Sequence, residues 1–375
     1  MNSSVTKKIA VIEGDGIGPE VTQQAIKVLN AISEQFGHQF EYTYVLMGAC
    51  AIDKTGVPLP DETIETCLKS DAVLLGAIGD PKYDNDPTAK VRPEQGLLKL
   101  RKSLELFANI RPVNTYPALQ HLSPLKPKNT EGVDFIIYRE LTGGIYFGKK
   151  ETSADGNQAS DDCVYQRDEI ERIARLAFQH AEKRNKKLTL VDKANVLETS
   201  RLWRKVVQEI ASEFPDIKVD YLFVDNAAMQ IIVNPKQFDV MLTENMFGDI
   251  LSDEASVIAG SLGMLPSSSV GSKVALFEPI HGSYPQAAGK NIANPVGSIL
   301  SVAMLLDHFN LTDEAALVRE GVSWALQSGF VTRDIDPVNS YSTSSVGDLV
   351  SDFVAGRVPG SSKSENILAR KSTII

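Results

Sequence analysis

Apolar positions recur along this chain at two periods, one matching strands and the other helices. Residues 9–12 (IAVI) are a short β-branched run suited to a buried strand. Gly14, Gly16 and Gly18 interrupt it, and Val21, Ala25, Val28, Leu29 and Ile32 then share one face at helical spacing. Pro19 fits the first helical position, and Glu20 complements the positive helix end. The glycines are spaced G-x-G-x-G, not as the dinucleotide fingerprint G-x-G-x-x-G, and no P-loop Lys-Ser/Thr ending follows. A tight strand-end turn and a phosphate cradle both fit this local pattern.

The centre of the chain is the most legible part. Residues 161–184 carry Ile170, Ile173, Ala174 and Ala177 at helical spacing, and Leu188 and Leu190 then alternate as in a strand. Leu202, Trp203, Val206, Val207 and Ile210 make a second helical face. Val219, Tyr221 and Phe223 alternate again, and residues 237–260 give strand, turn and helix. This α-β-α-β-α-β-α rhythm predicts an α/β sandwich with a parallel or mixed sheet. Ligands of open α/β sheets gather beyond the carboxyl ends of strands, which here carry Asp192-Lys193, Asp225-Asn226 and Glu244-Asn245. Each residue alone has an ordinary role, as helix cap, turn residue or solvated charge.

The 375 residues exceed one comfortable core and predict two domains. The hydrophobic and charged fractions, 43% and 23%, are those of a soluble globular protein. A net charge of −10 argues against non-specific nucleic-acid binding. Cys50, Cys67 and Cys163 have no metal-ligand spacing, so free thiols and a reducing cytoplasm are expected. No secretory signal and no bilayer-length apolar span stand out, which predicts no membrane association. Residues 356–375, rich in Ser, Lys and Gly, are expected to form a disordered tail.

Candidate chemistry is spread over several segments. Asp249 and Asp253 lie four apart, so a helix stacks both carboxylates on one face. Such a pair suits Mg²⁺ or Mn²⁺, or is a solvated acidic face; Asp225 could supply a third carboxylate. Arg101, Arg111 and Arg139 have the planar fork that clamps carboxylates, with surface solvation as the default for each. Pro112 favours an extended backbone at Arg111. Tyr146 stands in a glycine-rich aromatic segment, where packing is the usual role. Residues 277–295 (FEPIHGSYPQAAGKNIANP) read as a long structured loop in which His281 could stack on a cofactor or brace a turn.

Taken together these segments resemble the β-decarboxylating dehydrogenase family, which includes isocitrate and isopropylmalate dehydrogenases. GDGIGPEV, LLKLRKSLELFANIRPV, YRELTGGIYFG, VDKANVLETSRLWR, VDNAAMQ, NMFGDILSDEAS and EPIHGSYPQAAGKNIANP occur in the family's order and spacing, from about residue 9 to 354. The resemblance implies a two-domain α/β fold with a discontinuous mixed sheet, not a Rossmann fold. Residues 1–106 with 260–355 would form the first, cofactor-side domain. Residues 107–259 would form the second, with the dimer interface and an arm at about 143–166. It implies a homodimer with active sites between the domains, shared by the subunits. Arg101, Arg111 and Arg139 would clamp malate carboxylates. Asp249 and Asp253, with Asp225 from the partner chain, would hold Mg²⁺ or Mn²⁺; K⁺ is a candidate activator. Lys193 of the partner chain would be the general base for the C2 hydroxyl, which requires a depressed pKa, and Tyr146 the acid that protonates C3.

On a helix, Glu94, Leu97 and Leu98 would face the variable end of the substrate. Two leucines suit an isopropyl group and leave a third carboxylate desolvated, which favours 3-isopropylmalate over homoisocitrate, isocitrate or tartrate. Cofactor contacts would fall on Ile17, His281, Gly282, Ser283, Gln286, Ala287 and Asn294. Gln286-Ala287 departs from the acidic residue of NAD-using relatives and also lacks the Lys-Tyr of NADP-using ones. Asp334 and Asp336 are possible substitutes, and NAD is favoured because no basic residue here answers a phosphate. The glycine turn then becomes a wall of the nicotinamide side. A Mg²⁺-dependent phosphate hydrolase would leave Lys193, Tyr146 and the His281 loop without work. A non-catalytic carboxylate-binding α/β protein is the other rival.

Overall fold

The computed structural model describes residues 4–84 and 91–360, so the tail expected at 356–375 lies outside the described residues from 361 onward. The chain divides into two compact units, one built from its two ends up to Leu104 and from Ser261, the other spanning Glu105–Gly260. In chain order the strands are β1 (Thr6–Gly14), β2 (Gln39–Tyr44), β3 (Ala72–Ala77), β4 (Ala108–Asn114), β5 (Asp134–Glu140), β6 (Lys150–Thr152), β7 (Ala159–Asp161), β8 (Lys187–Asp192), β9 (Lys218–Phe223), β10 (Val240–Thr243), β11 (Pro266–Val270) and β12 (Ala275–Pro279).

In the first unit β1 pairs in parallel with β2 and β3, β3 with β12, and β12 antiparallel with β11. In the second unit β5, β10, β8 and β9 are parallel in that order, and β4 lies antiparallel to β5. The antiparallel strands separate this mixed α/β architecture from the all-parallel dinucleotide-binding sheet. An exposed ribbon of β6 and β7 lies within the segment expected as an arm.

The sheet of the second unit is apolar on both faces, because helices cover both. Ile136, Tyr138, Leu188, Leu190, Val240 and Leu242 face the helices Arg167–Glu182 and Glu198–Ala211. Phe135, Ile137, Val191 and Met241 face Val224–Val233 and Asn245–Ser256. The alternation expected around Leu188 and Leu190 therefore needs correcting: Thr189 and Val191 are buried as well. The helix expected from residue 161 begins only at Arg167: β7 ends at Asp161, an irregular stretch follows, and Gln166 N–H donates to Glu169 Oε2 at 2.7 Å in a capping box. Phe277–Pro279, expected in a loop, ends β12.

The glycine turn after β1 is dictated by close approach. Gly14 and Gly16 have φ of 71° and 58°. A Cβ on Gly16 would lie 2.0 Å from the Ser283 carbonyl oxygen. That carbonyl also accepts from Ile17 N at 2.8 Å, and the Asp15 carboxylate accepts from the backbone of Ala49, Cys50 and Gly79. The turn thus pins the 283 loop to the start of helix Gly18–Phe36.

Three carboxylates are buried at the carboxyl edge of the second sheet: Glu140, Asp192 and Glu244. Asp192 is neutralised by Arg204, and Glu140 accepts from Thr142 and Gly143. Glu244 Oε2 is buried with no partner among the described residues. Burial, then the charges of Asp192 and Glu140, push the Glu244 carboxyl up to about 7.

Two outcomes are expected. Gly16→Ala combines a forbidden Cβ contact with an unfavourable φ, and should lower unfolding free energy by more than ~2 kcal/mol in urea titrations. Glu244 should make stability fall as pH rises from 4.5 to about 7, because the unfolded chain ionises there while the folded one still holds the proton. Denaturation at pH 5 and pH 8 should show that slope reduced in Glu244→Gln, by at most about 3 kcal/mol.

Candidate active site

Apolar strands β5 and β8 carry Arg139 and Lys193 to the carboxyl edge of the second unit, and Tyr146, Asp225, Asp249 and Asp253 come from the turns and helices that follow strands of its sheet. Strand β5 carries Arg139, only 4% exposed, one residue before its end. A buried guanidinium needs its donors satisfied. Arg139 Nε and Nη2 donate to Asn245 Oδ1 at 3.1 and 2.9 Å, and Nη1 donates to Asp249. Gly248 lets the helix Asn245–Ser256 approach, since a Cβ there would meet the Arg139 side chain at 2.6 Å.

Tyr146 reaches the same carboxylate from a short turn, Gly144–Tyr146, donating to Asp249 Oδ2 at 2.8 Å. Burial, then that hydrogen bond and the Asp249 charge, push its pKa up, so the group remains a phenol at neutral pH. One helical turn on, Asp253 accepts from Arg111 Nη1 at 3.0 Å. Arg111, extended on β4 as Pro112 requires, is braced by Asn109 Oδ1 and Ser252 Oγ, both at 2.7 Å. Arg111, Arg139, Tyr146, Asp249 and Asp253 are therefore brought together.

Lys193 and Asp225 form a separate pair. Lys193, in the turn after β8, donates to Asp225 Oδ1 at 2.8 Å, and that bond holds the Asp225 carboxyl below the usual carboxylate range. Among the described residues no three His, Cys, Asp or Glu side chains converge as a metal-binding group. Asp249 and Asp253 nevertheless present hard oxygens on one helical face, a donor set that fits Mg²⁺ or Mn²⁺ once a further carboxylate is added.

In the first unit, helix Pro93–Ser103 presents Glu94, Leu97, Leu98 and Arg101. Leu98 is 43% exposed and Leu97 half-buried, while Leu100 fills the core. Leu98 is thus free to meet a ligand. Arg101 Nη2 pairs with Glu278 at 3.3 Å, and its Nε is buried without a partner among the described residues.

The His281 loop borders a cavity of about 720 Å³ lined by Ile17, His281, Gly282 and Asn294, four of the seven expected cofactor contacts. Ser283 and Ala287 lie buried beneath it, Ala287 packed with Ile17 and Val21, and Gln286 is exposed outside the lining. His281 Nε2 is buried with no partner among the described residues, an orphaned atom that fits a ligand group, and burial lowers the imidazole pKa. Asp334 lines the cavity with its carboxylate already accepting from Ser261, Asn294 and Thr332; Asp336 instead accepts from Val338 and Asn339 in a local turn. Arg333 also lines it, so the expectation of no basic residue near this loop is corrected. The TRDIDP segment draws attention to Asp334 and Asp336, and nothing local ties the neighbouring Arg333 to His281, some fifty residues earlier.

The sequence profile of the isocitrate/isopropylmalate dehydrogenase family matches residues 8–350. A 3-isopropylmalate dehydrogenase of Bacteroides fragilis is 55% identical over 349 residues, 92% of this chain and 98% of that one. That of Bacillus subtilis is 54% identical over 90% of this chain and 94% of its own. Among solved structures, an isocitrate dehydrogenase from Methylococcus capsulatus superposes with a TM-score of 0.83 at 34% identity, covering 93% and 99%. A β-decarboxylating dehydrogenase from Thermococcus kodakarensis gives 0.79 at 37%, covering 93% and 96%. The chain belongs to the isocitrate/isopropylmalate dehydrogenase family.

Proposed function

We propose that this chain is an NAD-dependent oxidative decarboxylase that converts (2R,3S)-3-isopropylmalate to 4-methyl-2-oxopentanoate and CO₂, a step of leucine biosynthesis. The observation that carries this reading is the convergence of Arg111, Arg139 and Tyr146 on the Asp249 and Asp253 carboxylates. Relatives named 3-isopropylmalate dehydrogenases, 54–55% identical, support the substrate.

Arg111 and Arg139, with Arg101 of the first unit, bind the two substrate carboxylates, and Leu97 and Leu98 accept the isopropyl group. Lys193 of the partner subunit takes the C2 hydroxyl proton as the C2 hydride leaves. The resulting 2-oxo acid carries a carboxylate on the carbon next to its carbonyl; it loses CO₂, and Tyr146 returns a proton to C3. Asp249, Asp253 and Asp225 of the partner subunit would hold a divalent cation, which would supply charge stabilisation for the substrate oxygens, and NAD would supply the hydride acceptor. Mg²⁺ or Mn²⁺ is the assigned ion, and K⁺ an activator. Ile17, His281 and Asn294 are assigned to the dinucleotide.

The homodimer is part of the same reading. Met229, Ile232, Val233, Ile250 and Val257 are 46–62% exposed on or beside the helices Val224–Val233 and Asn245–Ser256, an apolar surface suited to a second copy. The three free thiols and the acidic balance support a cytoplasmic enzyme without nucleic-acid partners. Among the described residues no helix is long and apolar enough to cross a membrane.

Isopropylmalate with NAD and Mg²⁺ or Mn²⁺ should yield NADH, and none with chelator; no NADH from isopropylmalate in the presence of metal would sink the reading. Lys193→Ala and Tyr146→Phe should each lower kcat about 10²–10⁴-fold. After subunit exchange, half the dimers are mixed and each has one intact site, so activity should return to about a quarter of wild type. Recovery of nothing would refute sites shared between subunits.

A further inference from the structure

Asn245 has no place in the chemistry above, yet its side chain and backbone are committed at three points. It opens the helix Asn245–Ser256 and is 1% exposed. Its Oδ1 accepts from Arg139 Nε and Nη2 at 3.1 and 2.9 Å. Its Nδ2 donates to the Gly143 carbonyl at 3.1 Å, and its backbone N–H donates to Tyr165 Oη at 2.9 Å. Tyr165 is itself buried, edge-on to Trp203 with centroids 5.5 Å apart.

The turn that leads to Tyr146 is moulded on that tyrosine. A Cβ on Gly143 would fall 2.8 Å from the Tyr165 ring, and one on Gly144 only 2.2 Å from its Oη. Gly144 has φ +74° and donates to the Val164 carbonyl at 3.0 Å, while Gly143 N donates to Glu140 Oε2 at 2.7 Å. Arg139 and the Tyr146 turn therefore hang on a common support, and both end on Asp249.

We propose that Asn245 and Tyr165 are positioning residues: Asn245 fixes the Arg139 guanidinium through its amide oxygen and the Tyr146 turn through its amide nitrogen, with Tyr165 setting the register between them. The proposal rests on the assignment of Arg139 to a substrate carboxylate and Tyr146 to C3 protonation. Only an amide side chain supplies acceptor and donor together at this size. Asp keeps the acceptor and loses the donor; Leu, of similar volume, loses both. Substrate affinity and turnover are thereby separable at one residue.

Initial rates of the full-length enzyme test this with Asn245→Leu, Asn245→Asp and Tyr165→Phe. Asn245→Leu should raise KM for isopropylmalate about tenfold and lower kcat about tenfold, with KM for NAD within about twofold of wild type. Asn245→Asp should recover most of KM but not kcat. Tyr165→Phe, which keeps the ring and removes the acceptor, should lower kcat about three- to tenfold with KM for NAD within about twofold of wild type. It carries the test if Asn245→Leu does not fold. Folded variants with both constants within about twofold of wild type would overturn the proposal, as would equal rises in both KM values, which mark general loosening. If the wild type turns over a different 2-hydroxy acid, the proposed substrate is corrected and the same comparison is made with that acid.

Discussion

A guanidinium held at 4% exposure at the end of an apolar strand is the constraint that organises the second unit. Stripped of water, Arg139 needs an acceptor for each face of its fork and a counter-charge nearby; removing one partner of such a buried pair costs about 3–5 kcal/mol. Asn245 and Asp249, one turn apart on the same helix, satisfy both demands. Their joint bonding sets the rotation of that helix about its axis. Asp253 then necessarily lies on the face that meets Arg111, and Asp249 Oδ2 is left for Tyr146. Charge pairing at one buried side chain thus places four other polar groups.

The apolar packing explains why these charges gather at strand ends. Strands β5, β8 and β10 bury both faces under helices, so their charged side chains are confined to the strand ends. At those ends come Arg139-Glu140, Asp192 and Glu244-Asn245. Glu140 and Asp192 are satisfied by donors within reach, whereas Glu244 keeps an unpartnered oxygen. Burial beside those two charges pushes the Glu244 carboxyl up to about 7.

Much of this was legible in the chain, and the limits have physical reasons. The four-residue interval between Asp249 and Asp253 fixes their shared face, because helical periodicity is local. Pro112 likewise announces the extended backbone at Arg111. The failed fingerprint spacing of the glycines points to a turn, and their close approach to Ala77 and Ser283 supplies the reason for each glycine. What stayed hidden depends on distant segments meeting. Nothing local tells that Asn245 reads Arg139 across 106 residues, that Tyr165 backs the Gly143–Gly144 turn, or that Arg333 joins the His281 cavity. The double burial of β8 was missed because Thr189 counts as polar in an alternation pattern; its partners are an apolar sheet and two helical layers.

Charge balance also explains how these carboxylates and cations coexist in one unit. Within the second unit Arg139 faces Asp249, Arg111 faces Asp253, and Lys193 faces Asp225. Each pair is neutral by itself, so neither the arginine group nor the lysine pair carries an uncompensated charge. The exposures are graded: Arg139 is the most enclosed, with Asp249 partly open and Asp253 and Asp225 largely in water. Water-facing carboxylates give up a partner at little cost, while the buried guanidinium keeps Asn245 as a neutral anchor whatever its carboxylate does. The amide therefore lets Arg139 exchange one anion for another without losing its orientation.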